Sequence, residues 1–273
     1  MSKFKRETVM IGYLIDMDGV VYRGGELIPG SDEFINQLIK KDIPFRFMTN
    51  NSQRTRLDVV SKLERLGISV EEQHVFTCAM ATARYLASHN AKATAFIIGE
   101  GGLLTALHKS GIAINDQSPD FVIIGEGRTF NLELVEKAVD LVNAGAKLIS
   151  TNPDLSCPTP TGMRPGCGAM TAMIEATTGR KAFSLGKPNP IMMRMVRKDL
   201  SLSTRETVVI GDMMETDIFG AVQLEYDSVL VLSGGTKRSE LHNFAYQPGE
   251  VHQTLAHYGR SAGILPDSSL VFN

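Results

Sequence analysis

The stretch Tyr13-Leu14-Ile15-Asp16-Met17-Asp18-Gly19-Val20 decides how the rest of this chain is read. An apolar run near the N-terminus ends in two carboxylates two residues apart, followed by glycine. In a strand, side chains at i and i+2 leave on the same side, so Asp16 and Asp18 are expected to converge on one small volume. Two like charges held that close repel, and one would lose its charge unless a cation intervenes. The pair therefore asks for a metal ion. Calcium-loop chemistry does not account for it, because the pattern D-x-[DN]-x-[DN]-G with a terminal glutamate is absent.

The residues that follow alternate between strand and helix signals. Past the turn residues Arg23-Gly24-Gly25 and Pro29-Gly30, Ser31 reads as a helix N-cap, with Asp32 and Glu33 in the first turn and Ile35, Leu38 and Ile39 at helical spacing. Phe45-Arg46-Phe47-Met48 reads as a strand ending at Thr49-Asn50-Asn51, before a helix capped by Thr55 and closed by Gly67. Strand patterns recur at Thr94 to Ile98, Phe121 to Ile124, Lys147 to Ser150, Ala182 to Leu185, Thr207 to Ile210 and Ser228 to Leu232. Helical patterns lie between them at Met80 to Ser88, Leu103 to Lys109, Leu132 to Ala144 and Cys167 to Thr178. This alternation predicts parallel sheets covered by helices. The run of three β/α units in the middle predicts a second α/β domain, residues 80–180, inserted into a core made of residues 1–79 and 181–273.

Composition narrows the class. The 273 residues carry a net charge of −2, with no long block of one sign, which argues against a nucleic-acid polymer or a membrane surface as partner. Cys78, Cys157 and Cys167 are too scattered for a disulfide framework, and no C-x-x-C pair suggests zinc. The N-terminus lacks a signal-peptide h-region and no run of about 18 apolar residues occurs, so the expected location is the cytoplasm. The histidines lie apart, and His252 and His257 are five residues apart rather than four, so no helical metal pair arises. Met192, Met193 and Met195 read as packing residues, Gly99-Glu100-Gly101-Gly102 as a tight turn, and Cys167 as a small apolar residue.

In an open parallel sheet, functional groups gather beyond the carboxyl ends of the strands. Asp16 and Asp18, Thr49 and Asn50, Lys187 in Gly186-Lys187-Pro188, and Asp212 in Gly211-Asp212-Met213-Met214-Glu215-Thr216-Asp217 all fall at such ends in this reading. Each type suits displacement at a phosphate monoester. A carboxylate can attack phosphorus and divide a very slow reaction into two easier steps. Its approach to a phosphate of charge about −1.5 to −2 meets repulsion, which magnesium and one lysine would remove. The Thr49 hydroxyl and the Asn50 backbone N–H can donate to phosphoryl oxygens, and the second carboxylate can protonate the leaving oxygen and then activate water.

These segments, D-M-D-G-V, M-T-N-N, G-K-P and G-D-M-M-E-T-D, resemble the four motifs of the haloacid dehalogenase (HAD) superfamily of phosphatases, and within it the NagD-like (4-nitrophenylphosphatase-like) family. Further likeness lies in Thr151-Asn152-Pro153-Asp154, Gly166-Cys167-Gly168-Ala169 and Gly179-Arg180-Lys181, and it covers roughly residues 10–240, with no recognised pattern from about Gln247 onward. The resemblance implies a Rossmann-like α/β core with an inserted α/β cap of the C2 type and magnesium-dependent hydrolysis of phosphomonoesters. It implies that Asp16 is nucleophile and metal ligand, and that Asp18 is general acid/base and lends the metal its backbone carbonyl. Thr49, Asn50 and Lys187 would hold the phosphoryl group, Asp212 would bind Mg2+, and Asp217 would support that loop. Small soluble phosphates, such as nucleoside monophosphates or sugar phosphates, are the implied substrates. Two other readings stay open: a phosphomutase or phosphotransferase on the same scaffold, and a non-catalytic phospholigand-binding module. Edge strands in the cap offer a surface for a homo-oligomer. Selectivity is expected from the Pro- and Gly-rich segment Leu155 to Gly168, which carries Met163 and Arg164.

Overall fold

The computed structural model describes residues 10–128, 130–159 and 161–266. In chain order its elements are β1 (Gly12–Ile15), β2 (Tyr22–Arg23), β3 (Glu26–Leu27), α1 (Ser31–Lys40), β4 (Phe45–Thr49), α2 (Arg56–Arg65), β5 (Val75–Thr77), α3 (Cys78–His89), β6 (Thr94–Ile98), α4 (Gly101–Lys109), β7 (Ala113–Ile114) and β8 (Phe121–Ile124). There follow α5 (Leu132–Asn143), β9 (Lys147–Ser150), β10 (Ser156–Thr159), β11 (Gly162–Pro165), α6 (Cys167–Thr178), β12 (Phe183–Ser184), α7 (Pro190–Asp199), β13 (Thr207–Gly211), α8 (Phe219–Gln223), β14 (Asp227–Val231), β15 (Glu250–His252) and α9 (Leu255–Ser261). The described residues divide into two compact units. One is built from the chain up to Arg23, Leu27–Arg46 and the part from Val196 onward; the other comprises Gly24–Glu26 and Phe47–Met195.

In the first unit, β1, β13, β14 and β15 lie side by side and parallel, with Ile15 opposite Ile210, Gly211 opposite Leu230 and Val231 opposite His252. The β1 strand is buried along its whole length, as a central parallel strand must be. Helix α1 forms because Phe34, Ile35 and Leu38 fall on one face while Asp32 and Glu33 sit at its positive end and Lys40 at its negative end. The rings of Tyr13, Phe34 and Tyr258 meet edge-on or tilted at centroid separations of 6.0–6.2 Å, which locks α1 and α9 onto the first strand. Gly259 allows this approach, since a Cβ there would lie 2.7 Å from the Phe34 ring.

The second unit holds a five-stranded parallel sheet in the order β12-β9-β8-β6-β7, together with the parallel pair β4 and β5. Alternation along β8 supplies both faces. Ile123 packs with Leu86, Leu103 and Leu107 from α3 and α4, while Val122 and Ile124 pack with Val135, Leu141 and Ile174 from α5 and α6. A sheet covered on both faces is what near-continuous apolar strands require. The helix ends follow their sequence signals. Thr55 and Asp58 form a reciprocal capping box at α2, Asn131 accepts the Leu134 N–H at 2.9 Å at α5, and Gly179 closes α6 with φ 66°.

Several sequence expectations are corrected. The first strand stops at Ile15 rather than running to Val20, because the Met17 carbonyl draws in the N–H groups of Val20, Val21 and Tyr22 and turns the chain. Asp16 is 9 % exposed and Asp18 lies on the surface, so strand alternation does not describe their relation. Ser31 is the first helical residue rather than the cap. Gly30, at φ 80°, precedes the helix, and the buried Ser31 hydroxyl donates to the Val20 carbonyl at 3.3 Å. The strand expected over Ala182 to Leu185 shrinks to Phe183–Ser184 and pairs with β9 in the five-stranded sheet. The segment Leu155 to Gly168 contains an antiparallel hairpin, β10 with β11. Past Gln247 the chain packs: β15 joins the sheet and α9 buries Leu255 and Tyr258, while Asp267 to Asn273 lie outside the described residues.

The aromatic contact makes a stability prediction. Phe34→Ala is expected to cost about 3–5 kcal/mol in denaturant unfolding, through lost burial and the cavity left behind. Ile39→Ala, at a position on the same helix with 43 % exposure, should cost less than about 1 kcal/mol. Similar losses for the two would show that the ring cluster does not anchor the unit.

Candidate active site

In the first unit the ladder between β1 and β13 sets the carboxylates. The Asp16 N–H donates to the Ile210 carbonyl at 2.8 Å, so Asp16 leaves β1 level with the end of β13, where Gly211 hands over to Asp212. After Asp212 the chain makes a single π-helical turn, Met214–Ile218, a form of helix often found at functional sites. That turn points Asp217 back. Its carboxylate accepts from the Met213 N–H at 3.4 Å and the Thr216 hydroxyl at 3.3 Å. Gly211 makes room for it, because a Cβ there would overlap the Asp217 side chain.

One carboxylate oxygen from each of Asp16, Asp212 and Asp217 lies within 4.8 Å of the other two. Asp212 and Asp217 are 4 % and 0 % exposed, so water does little to screen the three. A glycine cradle surrounds Asp212. A Cβ on Gly19 (φ 82°) or Gly234 would strike its carboxylate, and the Gly235 N–H donates to its Oδ2 at 2.6 Å. The Asp212 carbonyl accepts the Thr236 N–H at 3.1 Å, and the Thr236 hydroxyl accepts the Met214 N–H at 3.2 Å. The Ser233 hydroxyl donates to the Gly19 carbonyl at 2.7 Å, which ties the Asp16–Tyr22 loop to the same cradle. All three donors are hard oxygens, close enough to share one coordination shell, and the residues fit a magnesium ion. Asp18 lies in this unit too, and its side chain is not part of the trio.

The second unit brings together Thr49, Asn50 and Lys187. Thr49 is the last residue of β4, and its hydroxyl oxygen accepts the Asn51 N–H at 3.1 Å, which leaves its own proton to donate. Asn50 grips the main chain of Lys187 from both sides: its Oδ1 accepts the Lys187 N–H at 2.7 Å and its Nδ2 donates to the Lys187 carbonyl at 3.0 Å. The Asn50 side chain is therefore engaged by protein. Thr49, Asn50 and Lys187 are 8 %, 8 % and 3 % exposed.

Around them stand residues that the four motifs did not single out. The Asp154 carboxylate accepts from Asn50 Nδ2 at 3.1 and 3.3 Å, and Asn152 Nδ2 donates to the Asn50 carbonyl at 2.7 Å. Glu126, 4 % exposed, pairs with Arg164 of the hairpin at 3.0 Å. Burial pushes the Glu126 carboxyl above the usual range, against the pull of Arg164. Cys157, beside Glu126, is pushed up to about 12 by burial and that neighbouring charge, which makes it a poor nucleophile at neutral pH. Cys167 is fully buried and Met192 and Met193 are packed, as expected. Gly102 starts a close approach of α4 to the chain at Ser52 and Arg54, where a Cβ would overlap backbone carbonyls, so this glycine serves packing. Met163 is 65 % exposed at the hairpin, whereas Arg164 is held by Glu126. The signal for Asn152 and Asp154 was present in the T-N-P-D segment; Glu126 had none, since its role depends on contacts far apart in sequence.

Comparison with known proteins agrees with these features. Residues 13–113 match the family described as haloacid dehalogenase-like hydrolase, and residues 184–258 match the HAD-hydrolase-like family, which carries the likeness past Gln247. The chain is 39 % identical to a dihydroxyacetone phosphatase of Corynebacterium glutamicum, over 91 % of this chain and 90 % of that protein. It is 35 % identical to the ribonucleotide monophosphatase NagD of Escherichia coli, over 89 % and 96 % of the two chains. A solved 4-nitrophenylphosphatase from Thermotoga maritima superposes with a TM-score of 0.88 at 32 % identity, covering 92 % of this chain and 97 % of that one. No described helix is long and apolar enough to cross a membrane. With its aspartate trio after β1 and β13, its parallel α/β sheets and these relatives, the chain belongs to the haloacid dehalogenase superfamily, as a phosphatase of the NagD-like family.

Proposed function

We propose that this enzyme is a magnesium-dependent phosphomonoester hydrolase that works through an aspartyl-phosphate on Asp16. The observation that carries the reading is the buried trio of carboxylate oxygens from Asp16, Asp212 and Asp217 within 4.8 Å, beside strand ends. Asp16, Asp212 and the backbone carbonyl of Asp18 would hold Mg2+, with Asp217 supporting the set. Bound there, the ion supplies charge neutralisation between carboxylate and phosphate.

The chain's own groups then have defined tasks. An Asp16 oxygen attacks phosphorus as the ester P–O bond breaks, and Asp18 delivers its proton to the leaving oxygen. Water next attacks the phosphorus, Asp18 takes up its proton, and the P–O bond to Asp16 breaks, which restores the Asp16 carboxylate and the protonated Asp18. Thr49, the Asn50 N–H and Lys187 hold the phosphoryl oxygens and balance their charge. The relatives' names support small soluble substrates, with nucleoside monophosphates and sugar phosphates as the class. We place the selectivity in an inserted cap of about residues 80–180, and within it in the β10–β11 hairpin. Cytoplasmic location and self-association through the cap's edge strands complete the reading.

Four experiments test it. Chelation of metal-stripped enzyme should abolish turnover and magnesium should restore it, and Asp16→Asn should remove both hydrolysis and covalent phosphate capture, because an amide is a poor nucleophile and a weak metal ligand. Full rates without metal, or capture of phosphate on the Asp16→Asn protein, would refute the chemistry.

Asp18→Asn should depend on the leaving group. General acid catalysis is worth about 10²–10⁴, and an alkoxide needs the proton far more than nitrophenolate does. First-turnover formation of the intermediate should therefore fall much more for an alkyl than for an aryl phosphate. Equal losses would remove Asp18 from this role.

Replacing Met163 and Arg164 together by alanine should change the kcat/KM ratio between a nucleotide and a sugar phosphate while hydrolysis of 4-nitrophenyl phosphate persists. A common factor across all substrates would make the hairpin purely structural.

A further inference from the structure

Two sequence segments, Thr151-Asn152-Pro153-Asp154 and Gly166-Cys167-Gly168-Ala169, have no task in the chemistry above, yet the first grips Asn50 and the second packs against the first. The Asn50 amide nitrogen has two protons. One goes to the Lys187 carbonyl at 3.0 Å and the other to the Asp154 carboxylate at 3.1 and 3.3 Å, while Oδ1 takes the Lys187 N–H at 2.7 Å. The orientation of the amide is thereby fixed, since turning it over would set an oxygen against a carbonyl and a carboxylate.

Asp154 is held as firmly as it holds. Its N–H donates to Asn152 Oδ1 at 3.0 Å, its carbonyl accepts the Gly168 N–H at 2.9 Å, and Asn152 Nδ2 reaches the Asn50 carbonyl at 2.7 Å. Glycine is needed at 166 and 168 for this contact, because a Cβ at either would overlap the Asp154 or Pro153 carbonyl. Gly186, just before Lys187, is likewise too close to Asn50 Oδ1 and the Thr151 carbonyl to carry a side chain. The T-N-P-D segment, the second glycine segment and the G-K-P segment thus form one hydrogen-bonded frame around the Asn50 amide.

We infer that Asp154 is a positioning residue for phosphate binding: through the Asn50 amide it fixes the main chain on both sides of Lys187, and with it the point from which the lysine ammonium meets a phosphoryl group. The inference rests on the reading of Lys187 as a phosphate-binding residue. A carboxylate suits the task because a charge-assisted hydrogen bond is about twice as strong as a neutral one. Small displacements of a charge-stabilising group are costly, so the contact has leverage on catalysis without touching substrate.

The test uses the full chain with magnesium, and inorganic phosphate as the probe, read as its competitive inhibition constant against 4-nitrophenyl phosphate. Asp154→Ala should raise that constant and lower kcat/KM by about tenfold or more. The factor should be the same for aryl, nucleotide and sugar phosphates, unlike the effect of the hairpin variant. Asp154→Asn can still accept one neutral hydrogen bond from Asn50, so its inhibition constant should fall between wild type and Asp154→Ala. An unfolding scan of each variant accompanies the kinetics. A lower midpoint with an unchanged phosphate constant would overturn the inference, because a merely structural role predicts that result. If Asp154→Ala does not fold, Asp154→Asn decides: a raised constant in folded protein supports the proposal and an unchanged one overturns it. Wild-type turnover with unaffected variants removes only the role of Asp154, whereas a wild type that neither hydrolyses phosphomonoesters nor binds phosphate removes the phosphatase reading and this inference together.

Discussion

Repulsion among buried carboxylates is the constraint around which the first unit is organised. Asp16, Asp212 and Asp217 crowd their oxygens within 4.8 Å where little water reaches. Taking even one such charge out of water is costly without a partner, and three together make a group that could hold a cation. The chain invests its local geometry in making that crowding possible. A left-handed Gly19, the close approaches at Gly211 and Gly234, and a π turn at Met214–Ile218 all serve the same carboxylates.

The parallel ladder gives this arrangement its rigidity. Because Ile15 pairs with Ile210, the aspartates after the two strands are set by main-chain hydrogen bonds rather than by flexible side chains. The rings of Tyr13, Phe34 and Tyr258 hold β1 against α1 and α9, so a segment near the end of the chain contributes to the strand that leads into Asp16. Packing and chemistry are thus coupled through one strand.

In the second unit a hydrogen-bonded network with one ion pair takes the place of crowded carboxylates. Asn50 spends its side chain on the main chain of Lys187 and on Asp154. Glu126 sits among Arg164, Asn152 and Asn51, which links the hairpin to the residues after β4. A buried ion pair of this kind contributes little net stability but fixes one geometry, since the alternatives leave a charge without a partner.

Much of this was legible in the sequence. The short apolar runs placed β6, β8 and β9 to the residue, and Thr55, Gly67 and Gly179 marked helix ends, because local patterns and backbone preferences act over a few residues. The motif residues Asp16, Asp212 and Asp217 stand out in the sequence by spacing and resemblance. What needed tertiary structure was whatever depends on distant neighbours. Ser31 lost its capping role to a buried contact with Val20, β15 and α9 formed only because β14 and α1 offered them surfaces, and Asp154 and Glu126 acquired partners about 40 to 100 residues away. Hydrogen bonds and burial across such separations leave no periodic trace in the chain, so the sequence determined which chemistry the residues could perform, and the fold decided which side chains hold them in place.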